Sequence, residues 1–225
     1  MAQDTVLTLG ILGGTGKQGS GLALRWAHAH YAVIVGSRDR ARAEATAESI
    51  NEKLGRDGVV HGMTNLEAAY ACDIAVLSVP YRAQRATLES VRDALKGKIL
   101  VDVTVPLNPE KRRHVYIPPG GSAGAEAQAL LGEEVRVVSA FQNIGFVHLQ
   151  ELDAPIECDV LITGNDKEAK RQVVALAEAI GMRAFDAGPI ENAVVAETLV
   201  SALLNINVRH KVRSAGIRIV GIHET

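Results

Sequence analysis

This 225-residue chain has little of what marks proteins for nucleic acids, metals or membranes. Its 24 lysines and arginines nearly balance 26 aspartates and glutamates, so no basic field points to a nucleic acid or an anionic bilayer. The one tight basic run, Lys111-Arg112-Arg113, reads as a solvated loop. Cysteine is scarce: Cys72 and Cys158 each head an apolar strand pattern. That argues against a disulfide or metal framework and fits buried thiols in a reducing compartment. No apolar run reaches membrane-spanning length, and Met1-Ala2-Gln3-Asp4 lacks the basic and apolar regions of an export signal. A soluble, cytoplasmic protein is expected. The seven histidines show no nucleophile or metal spacing. His114 and His148 stand nearest the loops expected around a cleft, and structural roles are the better expectation even for them. A Ser-Tyr-x-x-x-Lys arrangement, a Lys-rich helix after the fourth strand and any internal repeat are all missing.

What is present begins with Leu9-Gly10-Ile11-Leu12-Gly13-Gly14-Thr15-Gly16-Lys17-Gln18-Gly19. An apolar run ends in G-x-G-x-x-G spacing and a helical pattern follows at once. In a dinucleotide site Gly14 allows the tight turn, Gly16 lets the backbone approach a pyrophosphate, and Gly19 lets the helix pack closely on the sheet. The helix N-terminus adds free N–H groups and positive dipole. The hexamer alone is weak; the strand before it and the helix and strand after it give it weight. The second strand, Ala32–Gly36, ends where an NAD site usually carries Asp or Glu. Here Ser37-Arg38 follows. A hydroxyl and a guanidinium suit a 2′-phosphate that a carboxylate would repel, so NADP is favoured over NAD. Arg40 and Arg42 can add positive potential. The bland alternative is a solvated Arg38 beside Asp39, a simple N-cap.

Strand and helix patterns then alternate, which predicts a Rossmann-like, doubly wound α/β fold with a mainly parallel sheet. Helices are expected near 18–30, 39–54, 64–70, 81–95, 123–131 and 166–180. Strands are expected near 5–12, 59–61, 73–79, 98–103, 135–139, 159–163 and 183–186. A proline- and glycine-rich loop, Thr104 to Ser122, leaves the carboxyl end of a strand, the edge where open α/β sheets bind ligands. The last helix, about Ile190 to Val208, is apolar over most of its circumference and should be buried on several sides. A homodimer would cover it. Residues 1–188 are therefore read as the NADP-binding domain, and 189–225 as a helical segment for dimerisation and site closure.

A carbonyl reductase needs a committed proton donor, and no candidate stands out. Hydride exchange between a nicotinamide and another ring cofactor needs chiefly two rings held face to face. Ser139 to Phe146 and the turn Ser78-Val79-Pro80-Tyr81 are well placed to wall such a cleft. For Phe141 and Phe146, core packing is an equal alternative to ring contact. No catalytic side chain and no metal are expected.

These stretches resemble the NADPH-dependent reductases of coenzyme F420, an 8-hydroxy-5-deazaflavin. The resemblance rests on Leu12–Gly16 with Gly19, Gly21–Arg25, Val35–Arg38 and Ala71–Leu77. It continues through Val138–Ala140, Asp186–Pro189, Leu204–Ile206 and Ala215–Arg218, nearly end to end. It implies that Thr15, Gly16, Lys17 and Gln18 hold the pyrophosphate, and Ser37, Arg38 and Arg42 the 2′-phosphate. Val79 would lie by the nicotinamide, the deazaflavin near Gln142 and Ile144, and Ala215 near the closure of the site. It also implies a dimer. Some members have His at Gln142 and Thr at Asn143, and a larger aromatic at Tyr81. The amide of Gln142 can still donate to a ring carbonyl but cannot titrate. A reductase of pyrroline-type imines or of another flavin, and a non-enzymatic NADP(H)-sensing regulator, are the alternative readings.

Overall fold

Alternating apolar strands and amphipathic helices assemble into one eight-stranded sheet in the computed structural model, which describes residues 7–222. The expected strand start at Thr5, and His223, lie outside those residues. The elements in chain order are β1 Thr8–Leu12, α1 Lys17–His28, β2 Ala32–Ser37, α2 Arg40–Leu54, β3 Val60–Thr64, α3 Asn65–Ala71, β4 Ile74–Leu77 and α4 Tyr81–Val91. There follow β5 Ile99–Asp102, α5 Ala123–Leu131, β6 Arg136–Ser139, α6 Phe146–Gln150, β7 Val160–Gly164, α7 Lys167–Glu178, β8 Ala184–Asp186 and α8 Ala193–His210. Strand order is β3-β2-β1-β4-β5-β6-β7-β8. Every pairing is parallel except β6 with β7, where Val138 faces Gly164 and Ser139 faces Thr163. The doubly wound fold is as the alternation predicts. The order reverses between β1 and β4, and that crevice is where such sheets take ligands.

A parallel sheet is covered on both faces, so its strands are apolar on both. Leu9, Ile11, Val76 and Val101 pack toward α1, α2 and α7, while Leu12, Leu77 and Leu100 pack toward α3, α4 and α5. Local signals set several helix starts. Asp39 accepts from the Ala41 and Arg42 amides, and Thr64 with Glu67 forms a capping box. One helix, α6, has no counterpart in the sequence reading. Five residues are too few for a periodic pattern to appear.

The long loop between β5 and α5 contains no helix or strand. Its far end leans on α8: Ser201 Oγ donates to the His114 carbonyl at 3.3 Å and Asn205 Nδ2 to that of Arg113 at 2.7 Å. Helix α8 itself is not enclosed on several sides by the described chain. Ala193, Ala196, Glu197, Ser201 and Leu203 are buried, but Val195 and Val208 are 59% and 58% exposed. Ile190 and Ala193 share an apolar cluster with Leu12 and Leu77, so residues beyond 188 are continuous with the sheet's core.

Candidate functional site

The glycine loop between β1 and α1 divides its labour differently from expectation. Gly13, not Gly14, takes the left-handed turn, at φ 74°. A Cβ on Gly14 would meet the Ile11 carbonyl oxygen at 2.8 Å, and one on Gly19 would meet Gly14 Cα at 2.8 Å. Those two glycines serve the protein's own packing. Gly16 does not: a Cβ there would find only the Gly13 oxygen, 3.8 Å away. Its open side faces two adjoining cavities, so the space beside it suits a ligand's close approach. Gly16 is also the N-cap of α1 and offers no side chain to the first-turn N–H groups, which leaves them as donors for an anion.

The first cavity, about 530 Å³, is lined by Thr15, Ser37, Arg38, Arg42, Asn65 and Val79, with Gly13 and Gly16 at its floor. Ser37 Oγ accepts from the Asp39 amide at 3.2 Å, so its hydroxyl proton remains able to donate. Among the described residues neither Arg38 nor Arg42 joins an ion pair, whereas Arg40 pairs with both Glu44 and Glu67. The positive potential expected of Arg40 is therefore spent on neighbours that come from α2 and α3. Asp39 is the N-cap, as the bland alternative held, and that role coexists with the two free guanidinium groups beside it.

The second cavity, about 300 Å³, shares Gly16, Ser78, Val79 and Pro80 with the first and continues to Val103, Val105 and Gln142. Lys17 and Gln18 complete its lining, and Lys17 is the one ionisable residue in it. Gln142 is 6% exposed and donates both amide protons, to the Asp102 carbonyl at 2.8 Å and to Ser139 Oγ at 2.7 Å. A carbonyl can only accept, which fixes the amide's orientation. The expected donor role of Gln142 is thus overturned. Its Oε1 is buried with no hydrogen-bond partner among the described residues, so the amide's one unused capacity is as an acceptor.

Not every expected residue reaches the cleft. Phe141 is fully buried at φ 68° and packs edge-on against Trp26, so it belongs to the core. The Ile144 side chain is buried too, and its carbonyl accepts from Gln18 Nε2 at 3.1 Å. Ala215 lines neither cavity; its amide donates to Asn207 Oδ1 at 2.7 Å. Ser78 lines both cavities, as the turn after the fourth strand suggested, whereas Asn65 and Val103 were missed and Val105 was covered only as part of the long loop. Asn65 Oδ1 accepts from the Gly13 amide at 3.0 Å and so pins the glycine loop. All but Val105 sit at the carboxyl ends of strands or directly after them, the one signal that could have singled them out.

Three buried carboxyl groups lie outside both cavities, and one of them, Asp159, is paired with Arg183. Asp102 accepts from Gln84 Nε2 at 2.5 Å and from the Thr104 amide at 2.9 Å, and burial raises its pKa. Glu197, on α8, accepts from the first amides of α5, Ala123 at 2.8 Å and Gly124 at 3.0 Å. Burial pushes its pKa up to about 8, against those two hydrogen bonds. A further cavity of about 520 Å³ lies between α2 and β3, lined by Glu44, Glu48, Glu52 and Asp57; that charge opposes a phosphate-bearing ligand. No group of metal ligands and no helix able to cross a membrane occurs among the described residues.

Comparison with known proteins gives the family. Residues 8–106 match the family described as NADP oxidoreductase, coenzyme F420-dependent. The chain is 40% identical over its whole length to the F420-dependent NADP reductase of Methanothermobacter thermautotrophicus, covering 99% of it. It is 42% identical over 97% of its length to that of Methanothermobacter marburgensis, covering all of it. A solved structure from Arthrobacter sp. FB24, assigned provisionally as an F420-dependent NADP-reductase, superposes with a TM-score of 0.81. That match covers 95% of this chain and 99% of the other at 24% identity, and speaks for the fold alone.

Proposed function

The chain belongs to the family of F420-dependent NADP reductases, and on that premise we propose that its two joined cavities seat NADP(H) and F420 side by side. The protein is an oxidoreductase that moves hydride between them. When both are bound, the nicotinamide and the deazaflavin supply all of the redox chemistry. Ser37, Arg38 and Arg42 bind the 2′-phosphate, and the Thr15–Gln18 backbone binds the pyrophosphate. Val79 and Pro80 form the apolar floor beneath the rings. Gln142 keeps one acceptor, Oε1, unused, which suits an amide N–H, a group that both rings bring and an imine substrate lacks. Gly19 and Gly14 hold the loop, Ile144 anchors the wall through its carbonyl, and the segment of Ala215 meets that wall through the neighbouring Ser214 carbonyl, 3.2 Å from His148 Nε2. The near absence of ionisable groups in the ring cavity assigns the chain's own work to orientation and water exclusion.

The observation that carries this reading is the continuity of the cavity holding two unpaired guanidinium groups with a second, nearly uncharged one lined by Val79, Pro80, Val103, Val105 and Gln142. The test is NADPH oxidation by the purified protein with F420, a flavin or a pyrroline-type imine as acceptor. Turnover with F420 alone is expected; turnover with the imine and none with F420 would overturn the assignment. The exposed Val195, Ile206 and Val208 of α8, with Val115 and Ile117 of the neighbouring loop, support a homodimer through this face. Ile206→Asp should then convert a dimer to a monomer in sedimentation equilibrium. Two free, buried cysteines support a cytoplasmic setting.

A further inference from the structure

Helix α1 does more than present its N-terminus. On its other side Arg25, 7% exposed, lies among five backbone carbonyls of the 148–154 segment. Its guanidinium donates to His148 O at 2.6 Å, Ala154 O at 3.2 Å, Leu149 O at 3.3 Å, Leu152 O at 3.4 Å, and Glu151 O. No carboxylate is bonded to it; Asp153 and Glu151 act on it only at a distance. A buried cation needs dense compensation, and here the compensation is the carboxyl end of α6 and the turn after it.

Two other ties run the same way. Gln18 Nε2 donates to the Phe141 and Ile144 carbonyls, and Gln150 Nε2 to the Lys17 carbonyl at 3.4 Å and Ser20 Oγ at 3.3 Å. Gly21 permits the close approach: a Cβ there would stand 2.6 Å from that of Leu149. The segment so held starts at Gln142 in the ring cavity and includes Phe146, whose ring lies 4.8 Å from Lys17 Nζ.

We propose that Arg25 is a positioning residue, assisted by Gln18 and Gln150, that joins the pyrophosphate-facing helix and the 142–154 wall into one body. The proposal rests on the hydride-transfer reading above. Nucleotide bound at one end of α1 thereby fixes where the deazaflavin rests, because the wall cannot shift without breaking the carbonyl cluster. Lysine keeps the charge but not the planar fork, and cannot serve five acceptors.

The test compares the unaltered protein with Arg25→Lys and Gln150→Ala. For Arg25→Lys the KM for F420 should rise about 10- to 100-fold while the NADPH dissociation constant, from fluorescence titration, moves less than about 3-fold. Gln150→Ala, at a partly exposed site, should give the same split more weakly and keeps the test open should the lysine variant not fold. In the unaltered protein, NADPH should slow amide exchange across residues 146–154, which line neither cavity, and both variants should lose part of that protection. Equal changes for both substrates, or a segment indifferent to NADPH, would overturn the proposal. The exchange measurement reads the coupling even if F420 proves not to be the acceptor.

Discussion

Two helices begin near the carboxyl edge of the sheet and treat the same physics oppositely. Helix α5 is capped by Ser122, whose Oγ accepts from the Ala125 amide at 3.0 Å, and its next free amides are taken by the Glu197 carboxyl. Helix α1 starts at a glycine, has no acidic residue in its first turn, and faces a cavity. A helix N-terminus attracts negative charge wherever it lies. One is satisfied by the chain's own carboxyl and so locks α8 to the sheet. The other has no side-chain cap and opens on the two cavities, where the proposed nucleotide phosphate would meet its donors. Whether such a terminus is structural or functional is therefore decided by what the rest of the fold brings to it.

The largest effect should come from the cations that complete the open terminus. Arg38→Ala should weaken NADPH binding about 10- to 100-fold by loss of a charge-assisted hydrogen bond, with NADH hardly affected. Equal losses in paired titrations would remove the 2′-phosphate assignment. A direct way to break the contrast is Gly16→Ser, which gives α1 the cap that Ser122 gives α5. Thermal stability should hold or rise by roughly a few tenths of a kcal/mol. NADPH affinity should fall about 10-fold as the hydroxyl enters the space beside the loop. Unchanged affinity would mean that this face is not the binding face.

Gln142 lies between the two termini, tied to Asp102, whose carboxyl is held by Gln84. Gln142→Ala should lower turnover with F420 by less than about 10-fold, because one neutral hydrogen bond is lost. Complete loss in a steady-state assay would make it a catalytic group.

A last effect, on stability rather than on binding or turnover, concerns the filled terminus. Glu197 has a folded-state pKa of about 8 against an ordinary 4.5, so the folded protein holds this proton more tightly than the unfolded chain. Its contribution to stability is full below about 4.5 and is lost as pH rises through about 8. Melting curves should therefore show stability declining across that window, and Glu197→Gln should make the decline shallower. Asp102, raised in the same direction by burial, leaves a residual slope in the variant. An unaltered slope would mean that Glu197 titrates normally.

Signals confined to a few neighbouring residues were legible in the chain. The strand-to-glycine-to-helix passage, the Ser37-Arg38 exchange, the Thr64–Glu67 capping box and the limits of α5 all depend on contacts within one turn or one strand. What escaped depends on distant partners. Arg40 looks like a free cation until α3 brings Glu67 against it, 27 positions away. Gln142 looks like a donor until the Asp102 carbonyl, 40 positions back, takes its proton. Ile144 looks like a ring contact until the core encloses it. Helix α6 owes its place to Arg25 and Gly21 on α1.

By itself the amino-acid order determined the alternating elements, the covered parallel sheet and the placing of Ser37 and Arg38 at a strand end beside the glycine turn, since hydrophobic periodicity and backbone chemistry act over short spans. Only the folded chain decided which glycine turns, which guanidinium groups remain unpaired and which atom of the Gln142 amide is left without a partner. Each of those is settled by competition for partners, and the competitors meet only when strands far apart in sequence become neighbours in the sheet.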